Sequence, residues 1–297
     1  MTSILPSTGF HYGVPYEDYA AWDAINFSRL KAIRKTASKC KYEIDNPKKQ
    51  TAAMVLGHAF HVAVLEPGRF DQMFYICPKC DGRTKEGKLI LEQANREAAE
   101  QRKTILREGV DDESLGEIGK LRGAAKAIHG RKIASLFLDG AGRNEVSMLW
   151  KDQETGLMCK GRLDKLIEEP QEPVSVFSGG NPVIVECKTS RDAAEWQYAK
   201  DADNFDYDAQ SACYCEGVRH ITGKTPKHVF LVAENFAPFD CAEYTLTDRS
   251  LNAGLLKYRA MLKKYAECVK SGIWPGYPEG LKTLDLPGYA HERNYES

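Results

Sequence analysis

Asn181-Pro-Val-Ile-Val-Glu-Cys-Lys-Thr-Ser190 is the stretch on which the reading of this chain turns. Val183, Ile184 and Val185 are β-branched and follow a Gly-Gly-Asn-Pro turn, a pattern that predicts a buried strand. Side chains two apart on a strand share a face, so Glu186 and Lys188 point the same way. A carboxylate and an ammonium at the end of an apolar strand are costly unless a site uses them. Upstream, Gly161-Arg-Leu-Asp164 supplies a second carboxylate. Asp164 and Glu186 suit a hard divalent cation, which takes oxygen ligands and keeps waters, and the backbone carbonyl of Cys187 can add a ligand. Lys188 can hold a nucleophilic water or steady a charged phosphoryl group. Phosphodiester hydrolysis asks for this equipment.

Taken alone, Asp followed at a distance by Glu-x-Lys is a weak pattern, since a surface strand can carry Glu and Lys without a function. Three other segments add to it. Gly57-His-Ala-Phe-His61 lies on a helix-forming run, and His58 and His61, three apart, can share one side; a histidine there is either a core residue or a ligand. Gln210 and Tyr214, four apart, project the same way from a second helix and suit contacts to a phosphate or to metal-bound carboxylates. Thr189 and Ser190 follow the lysine and can bind phosphate oxygens, with helix capping the simpler role for Ser190.

The 297 residues, 42% hydrophobic and 28% charged, read as one globular domain, helical over about 1–140 and α/β over about 141–275. No apolar run is long enough to span a membrane, and the first residues lack a basic and apolar leader. The expected compartment is therefore the cytoplasm, here of a bacterial host. Nine cysteines without a repeating frame read as reduced thiols. Cys77-Pro-Lys-Cys80 has metal-ligand spacing but lacks a second pair in sequence; Cys213 and Cys215 are the candidates to complete zinc or iron–sulfur ligation, the alternative being free thiols. The net charge of −1 does not announce a nucleic-acid binder. Two local clusters, Arg29 to Lys41 and Lys79 to Lys88, either line a phosphate channel or form solvated faces.

Periodicity and punctuation predict a helix from Asn26 or Ser28 to about Cys40, a helix over about 51–65, and a loop over 77–88. They also predict a charged, peripheral helical insertion to about 134. A hairpin (144–151 and 158–167), the Val183 strand, a helix from about 191 capped by Ser190 and a helix over 207–222 follow. Strands at 228–233 and 242–246 and a long helix over 248–271 complete the expectation of a mixed α/β sandwich.

Gly-x-x-x-His61, Gly-Arg-Leu-Asp164, Val-Glu186-Cys-Lys188-Thr and Gln210-x-x-x-Tyr214, in this order, resemble the PD-(D/E)xK nuclease superfamily, and within it the RecE (exodeoxyribonuclease VIII) type with its phage-encoded relatives. Flanking segments from Ile25-Asn-Phe-Ser28 to Trp274-Pro275 extend the resemblance over most of the chain. It implies a restriction-endonuclease-like α/β fold, a mixed central sheet flanked by helices with N-terminal helical elaborations. His61, Asp164 and Glu186 match the metal ligands, Lys188 the catalytic lysine, and Gln210 and Tyr214 the supporting motif; His58 has no counterpart. The proline that names the superfamily is absent, Leu163 preceding Asp164. The implied activity is Mg²⁺-dependent exonucleolysis (Mn²⁺ can substitute), 5′ to 3′ on double-stranded DNA ends. It would be carried out by a homo-oligomeric ring that leaves 3′ single strands for a single-strand annealing partner. Arg83, Lys85, Lys88, Arg162, Thr189 and Ser190 are the candidate DNA contacts. The rivals are a structure-specific or single-strand endonuclease on the same fold, and an end-binding protein without catalysis.

Overall fold

A computed structural model of the chain describes residues 5–47, 50–110 and 116–288. The first half begins with β1 (Gly9–His11) and the short α1 (Tyr16–Ala21). The helix expected from Asn26 to Cys40 divides in two: α2 (Phe27–Leu30) passes through a 3₁₀ turn, and α3 (Ala37–Asp45) restarts it. The division lies at Thr36, whose hydroxyl accepts from the backbone of Lys39 and caps the new helix. α4 (Ala52–Leu65) is capped by Thr51 and stops before Pro67. After α5 (Phe70–Met73) come β2 (Phe74–Cys77), α6 (Lys85–Glu100) and β3 (Thr104–Arg107), then α7 (Gly116–His129) and α8 (Lys132–Asp139). β2 and β3 form a separate two-stranded parallel sheet that sequence reading did not anticipate.

The second half follows expectation more closely. β4 (Arg143–Lys151) and β5 (Met158–Ile167) make the hairpin, followed by α9 (Val174–Ser178) and β6 (Val183–Ser190). α10 (Glu195–Asn204), α11 (Tyr207–Thr222), β7 (Lys227–Glu234), β8 (Cys241–Tyr244) and α12 (Asp248–Ser271) complete the chain. Ser190 does not cap α10, which begins at Glu195; its hydroxyl instead bonds the backbone of Asp192 and the carboxylate of Asp201. Among the described residues no helix is long and apolar enough to cross a membrane.

The central sheet has the order β1-β4-β5-β6-β7-β8, with only β6 and β7 parallel. Val183, Val185 and Cys187 of β6 pack with Phe60 and Val64 of α4 and Ala124 and Ile128 of α7. On the other face Ile184 joins Met148, Trp150 and Leu166 under α11 and α12. α7 is therefore one of the helices that cover the sheet, not a peripheral insertion: Ile118, Leu121, Ala124, Ala125 and Ile128 form its buried stripe. Two buried lysines fasten β5 to flanking helices. Lys160 donates to the carbonyls of Tyr19, Ala20 and Trp22 at the end of α1, and Lys165 to those of Leu138 and Gly140 at the end of α8. Each satisfies carbonyls that a helix terminus leaves open.

α11 is anchored to β7 by His228, buried with its ring edge-on to Phe230 and its Nδ1 3.2 Å from the Ser211 hydroxyl. Burial pushes this imidazole down to about 4 from its ordinary value of 6.5. Below pH 6.5 the unfolded chain takes up a proton that the folded chain refuses. Stability is therefore lost as pH falls from 6.5 toward 4, by about 3 kcal/mol in all. His228→Gln, compared with the parent in thermal melts across that window, is expected to flatten the loss of Tm; parallel curves would remove His228 as the source.

Candidate active site

β5 and β6 pair only at Lys165–Val185, Leu166–Ile184 and Ile167–Val183, whereas β6 and β7 stay paired from Val183 to Ser190. β5 thus leaves β6 just where Asp164 and Glu186 stand, and a fork opens. The vacated edge of β6 needs partners for its backbone groups. At Cys187 both are side chains: the N–H donates to Asp164 Oδ2 at 2.8 Å, and the carbonyl accepts from His61 Nε2 at 2.9 Å. His61 arrives from α4, so the buried stripe of that helix aims its imidazole at the fork.

On the other side, Lys188 Nζ donates to Glu186 Oε1 at 2.5 Å and to Gln210 Oε1 at 3.4 Å, and Gln210 Nε2 donates to the Tyr214 hydroxyl at 3.2 Å. The first turns of α11 therefore support the lysine. Gly161 is what lets Tyr214 lie against β5: a Cβ there would meet the Tyr214 ring at 3.3 Å and the Met148 methyl at 2.5 Å. Six residues singled out by sequence, His61, Asp164, Glu186, Lys188, Gln210 and Tyr214, thus meet at one fork. His58 turns its ring edge toward Phe74 instead.

The electrostatics follow from burial. Desolvation, with the Glu186 charge added, pushes the Asp164 carboxyl well above its ordinary range. Desolvation opposes the Glu186 charge too, but the Lys188 ammonium outweighs it and holds that carboxyl below the usual range. Lys188 is likewise opposed by burial and kept an ammonium by Glu186 and Asp164. Burial, then Lys188, lowers His61, so its ring is neutral. Because Nε2 donates to a carbonyl, the Nδ1 lone pair faces Asp164 Oδ1 at 3.4 Å, where the carboxyl's own proton or a cation would lie between them. Glu186 Oε2 is buried without a hydrogen-bond partner. Converging acceptors of this kind suit a bound divalent cation.

Glu145, which sequence reading did not select, completes the group. Asn144 pairs with Lys165 and Val146 with Leu163, so Glu145 stands opposite Asp164. Its φ of 53° is left-handed, a strain of order 1 kcal/mol for a non-glycine residue that surrounding contacts must hold. Arg162 holds it, Nε to Oε2 at 2.7 Å. One ligand atom each from His61, Glu145 and Asp164 lies within 4.8 Å of the others, so these three can hold a metal ion. No other such group of His, Cys, Asp and Glu occurs among the described residues. Cys77 and Cys80 approach to 4.0 Å but are not joined by Cys213 and Cys215, which are buried in α11.

The six expected DNA contacts divide. Arg162 is engaged by the protein, donating to Glu145, the Val14 carbonyl and the Ser147 hydroxyl. Ser190 is buried in its turn. Thr189 is exposed beside the fork, and Lys85 and Lys88 are exposed on the first turn of α6. The exposed Arg83 chelates Asp81 through two parallel bonds.

No curated protein matches the chain in sequence. Its fold is similar to that of a crystal structure from Eubacterium rectale described as a "Putative exonuclease", with a TM-score of 0.59 over 97% of this chain and 100% of that one. At 15% identity the likeness is one of fold. Residues 26–287, which include every residue of the fork, match a family model described as a PDDEXK-like domain of unknown function. The mixed sheet, the β5–β6 fork and this match agree, and the chain belongs to that family, DUF3799, of PDDEXK-like domains.

Proposed function

We propose that the chain is a divalent-metal-dependent deoxyribonuclease that degrades linear double-stranded DNA from its ends, 5′ to 3′, leaving 3′ single strands for recombination by annealing. The PDDEXK-like fold supports nuclease activity in general. The observation that carries the reading is the buried Glu186–Lys188 pair facing His61 and Asp164 across the fork, with Glu186 Oε2 left without a partner. His61, Asp164, Glu145 and Glu186 would hold the cation, a nitrogen and carboxylate set that fits Mg²⁺ or Mn²⁺. When bound, such an ion supplies charge neutralisation at phosphorus and a more acidic water.

The protein's own groups do the rest. Lys188 is held as an ammonium between Glu186 and Gln210, so it cannot accept a proton; it donates hydrogen bonds to the attacking water or to a phosphoryl oxygen as charge develops there. Gln210, itself bonded to Tyr214, restricts the lysine to one direction. Arg162 keeps Glu145 turned toward Asp164. The exposed Thr189 can offer its hydroxyl to a backbone phosphate. A homo-oligomeric ring around the duplex, an annealing partner and DNA gripping by Arg83, Lys85 and Lys88 belong to the same proposal, supported by the order of the motifs.

End-labelled linear duplex and closed circular duplex, each with Mg²⁺, test the reading directly. Release of nucleotides from 5′ ends of the linear DNA, with the circle intact, is expected; nicking or linearisation of the circle would indicate an endonuclease. Glu186→Gln and Lys188→Ala should each lower cleavage at least about 100-fold; each also breaks the buried pair and lowers the melting temperature, so activity is compared well below both melts, where DNA binding should be retained. Near-parental activity in either would remove the fork as the catalytic site. For the metal, calorimetric titration with Mn²⁺ should show affinity falling about 10-fold or more in His61→Ala and in Glu145→Ala. Unchanged affinity with lowered stability would make these residues structural.

A further inference from the structure

We propose that Phe205, backed by Tyr207, is a platform on which the nucleobase beside the scissile phosphate stacks, so that the site takes an unpaired base. This rests on the nuclease reading above and specifies the substrate end that the fork accepts.

The Lys188 ammonium lies 4.9 Å from the centre of the Tyr207 ring, and Phe205 lies 5.7 Å beyond it, inclined by 33°. Tyr207 is in turn backed by Tyr198 at 6.2 Å and Phe230 at 6.1 Å, and Tyr198 stacks on Tyr244 at 5.3 Å and 14°. The ring series therefore starts in the core, passes the lysine assigned to the phosphate, and ends on a phenyl ring that is 53% exposed. A large aromatic held open to water beside a phosphate-binding group is the arrangement that receives a nucleobase, because every base has a π-face.

The backbone fixes this ring in place of packing. Phe205 closes α10 through its N–H to the Asp201 carbonyl, and Asp206 then turns left-handed at φ 61°. Asp206 is 7% exposed and ion-paired with Arg34, which stabilises the turn. Carboxylates flank Phe205: Asp206 is paired with Arg34, and Asp203 shares the Lys257 ammonium with Asp208, at 2.9 Å from each. Beside the exposed Asp203 and Asn204, Phe205 presents an apolar aromatic ring, a surface for a base rather than for a phosphate. Reaching it requires the base to leave the duplex stack, so a frayed end suits the site better than an internal base pair.

The test is a four-way comparison of binding, by fluorescence anisotropy with Ca²⁺ in place of Mg²⁺. The parent and Phe205→Ala are each titrated with a linear duplex whose 5′-terminal nucleotides are normal and with one whose terminal nucleotides are abasic. With normal ends, Phe205→Ala should raise Kd about 5- to 100-fold. With abasic ends the parent should already bind that weakly, and the substitution should add nothing. Phe205→Trp should retain parental affinity for normal ends, which separates a lost platform from a damaged fold. Equal effects of Phe205→Ala on both duplexes, no effect on either, or failure of Phe205→Trp to bind would overturn the proposal. Because binding is the readout, a protein that shows the coupling yet cuts no DNA with Mg²⁺ or Mn²⁺ would refute the nuclease reading and leave the platform. One that cuts DNA without the coupling would refute the platform alone.

Discussion

The ion pair between Glu186 and Lys188, buried where β5 parts from β6, is the interaction on which the rest of the site depends. Glu186 is 3% exposed, and a lone carboxylate there would be strongly disfavoured. Breaking such a pair by removing one partner costs about 3–5 kcal/mol. The fold tolerates it because β6 is held along its whole length by β7 on one side and covered by α4 and α7 on one face. β5 is then free to diverge, and its divergence gives Asp164 and His61 the backbone of Cys187 as a mounting.

A consequence is an unequal sharing of charge. Of the two sequence-selected carboxyls, the one beside the lysine is ionised, while burial and its neighbour push the other toward its protonated form. His61, neutral, aims its Nδ1 lone pair at Asp164, so a proton on that carboxyl holds the two together when no cation is bound. A divalent cation would take the place of that proton and also meet the unpartnered Glu186 oxygen. The neighbouring rings, from Tyr198 through Tyr207 to Phe205, extend the same site outward, so one helix junction supplies both the support of Lys188 and a candidate surface for the substrate base.

How much of this is legible in sequence differs by element. α12 could be read residue by residue, because Thr247 caps it and Gly272 ends it in the left-handed region. β6 was legible from its β-branched run, and His61, Gln210 and Tyr214 from motif spacing. β2 and β3 were not: each has four residues, they pair in parallel, and a whole helix separates them, so no turn signal marks them. Glu145 escaped for a different reason. Its place follows from the hairpin register, which the turn after Lys151 sets, and no motif names it. Arg162 sits in a motif and reads as a DNA contact, yet its bonds to Glu145 and Val14 are long-range facts that only the folded chain contains. Phe205 carries no signal in sequence beyond being aromatic.

We propose that the β5–β6 fork binds a divalent cation through His61, Glu145 and Asp164, with Glu186 beside them. Crystals soaked in Mn²⁺ and measured at the manganese edge test it most directly. An anomalous peak is expected in the fork, within bonding distance of Asp164 and Glu145 oxygens and a His61 nitrogen. A peak elsewhere with an empty fork, or Lys188 still closed on Glu186 at saturating Mn²⁺ without any peak between the strands, would contradict it.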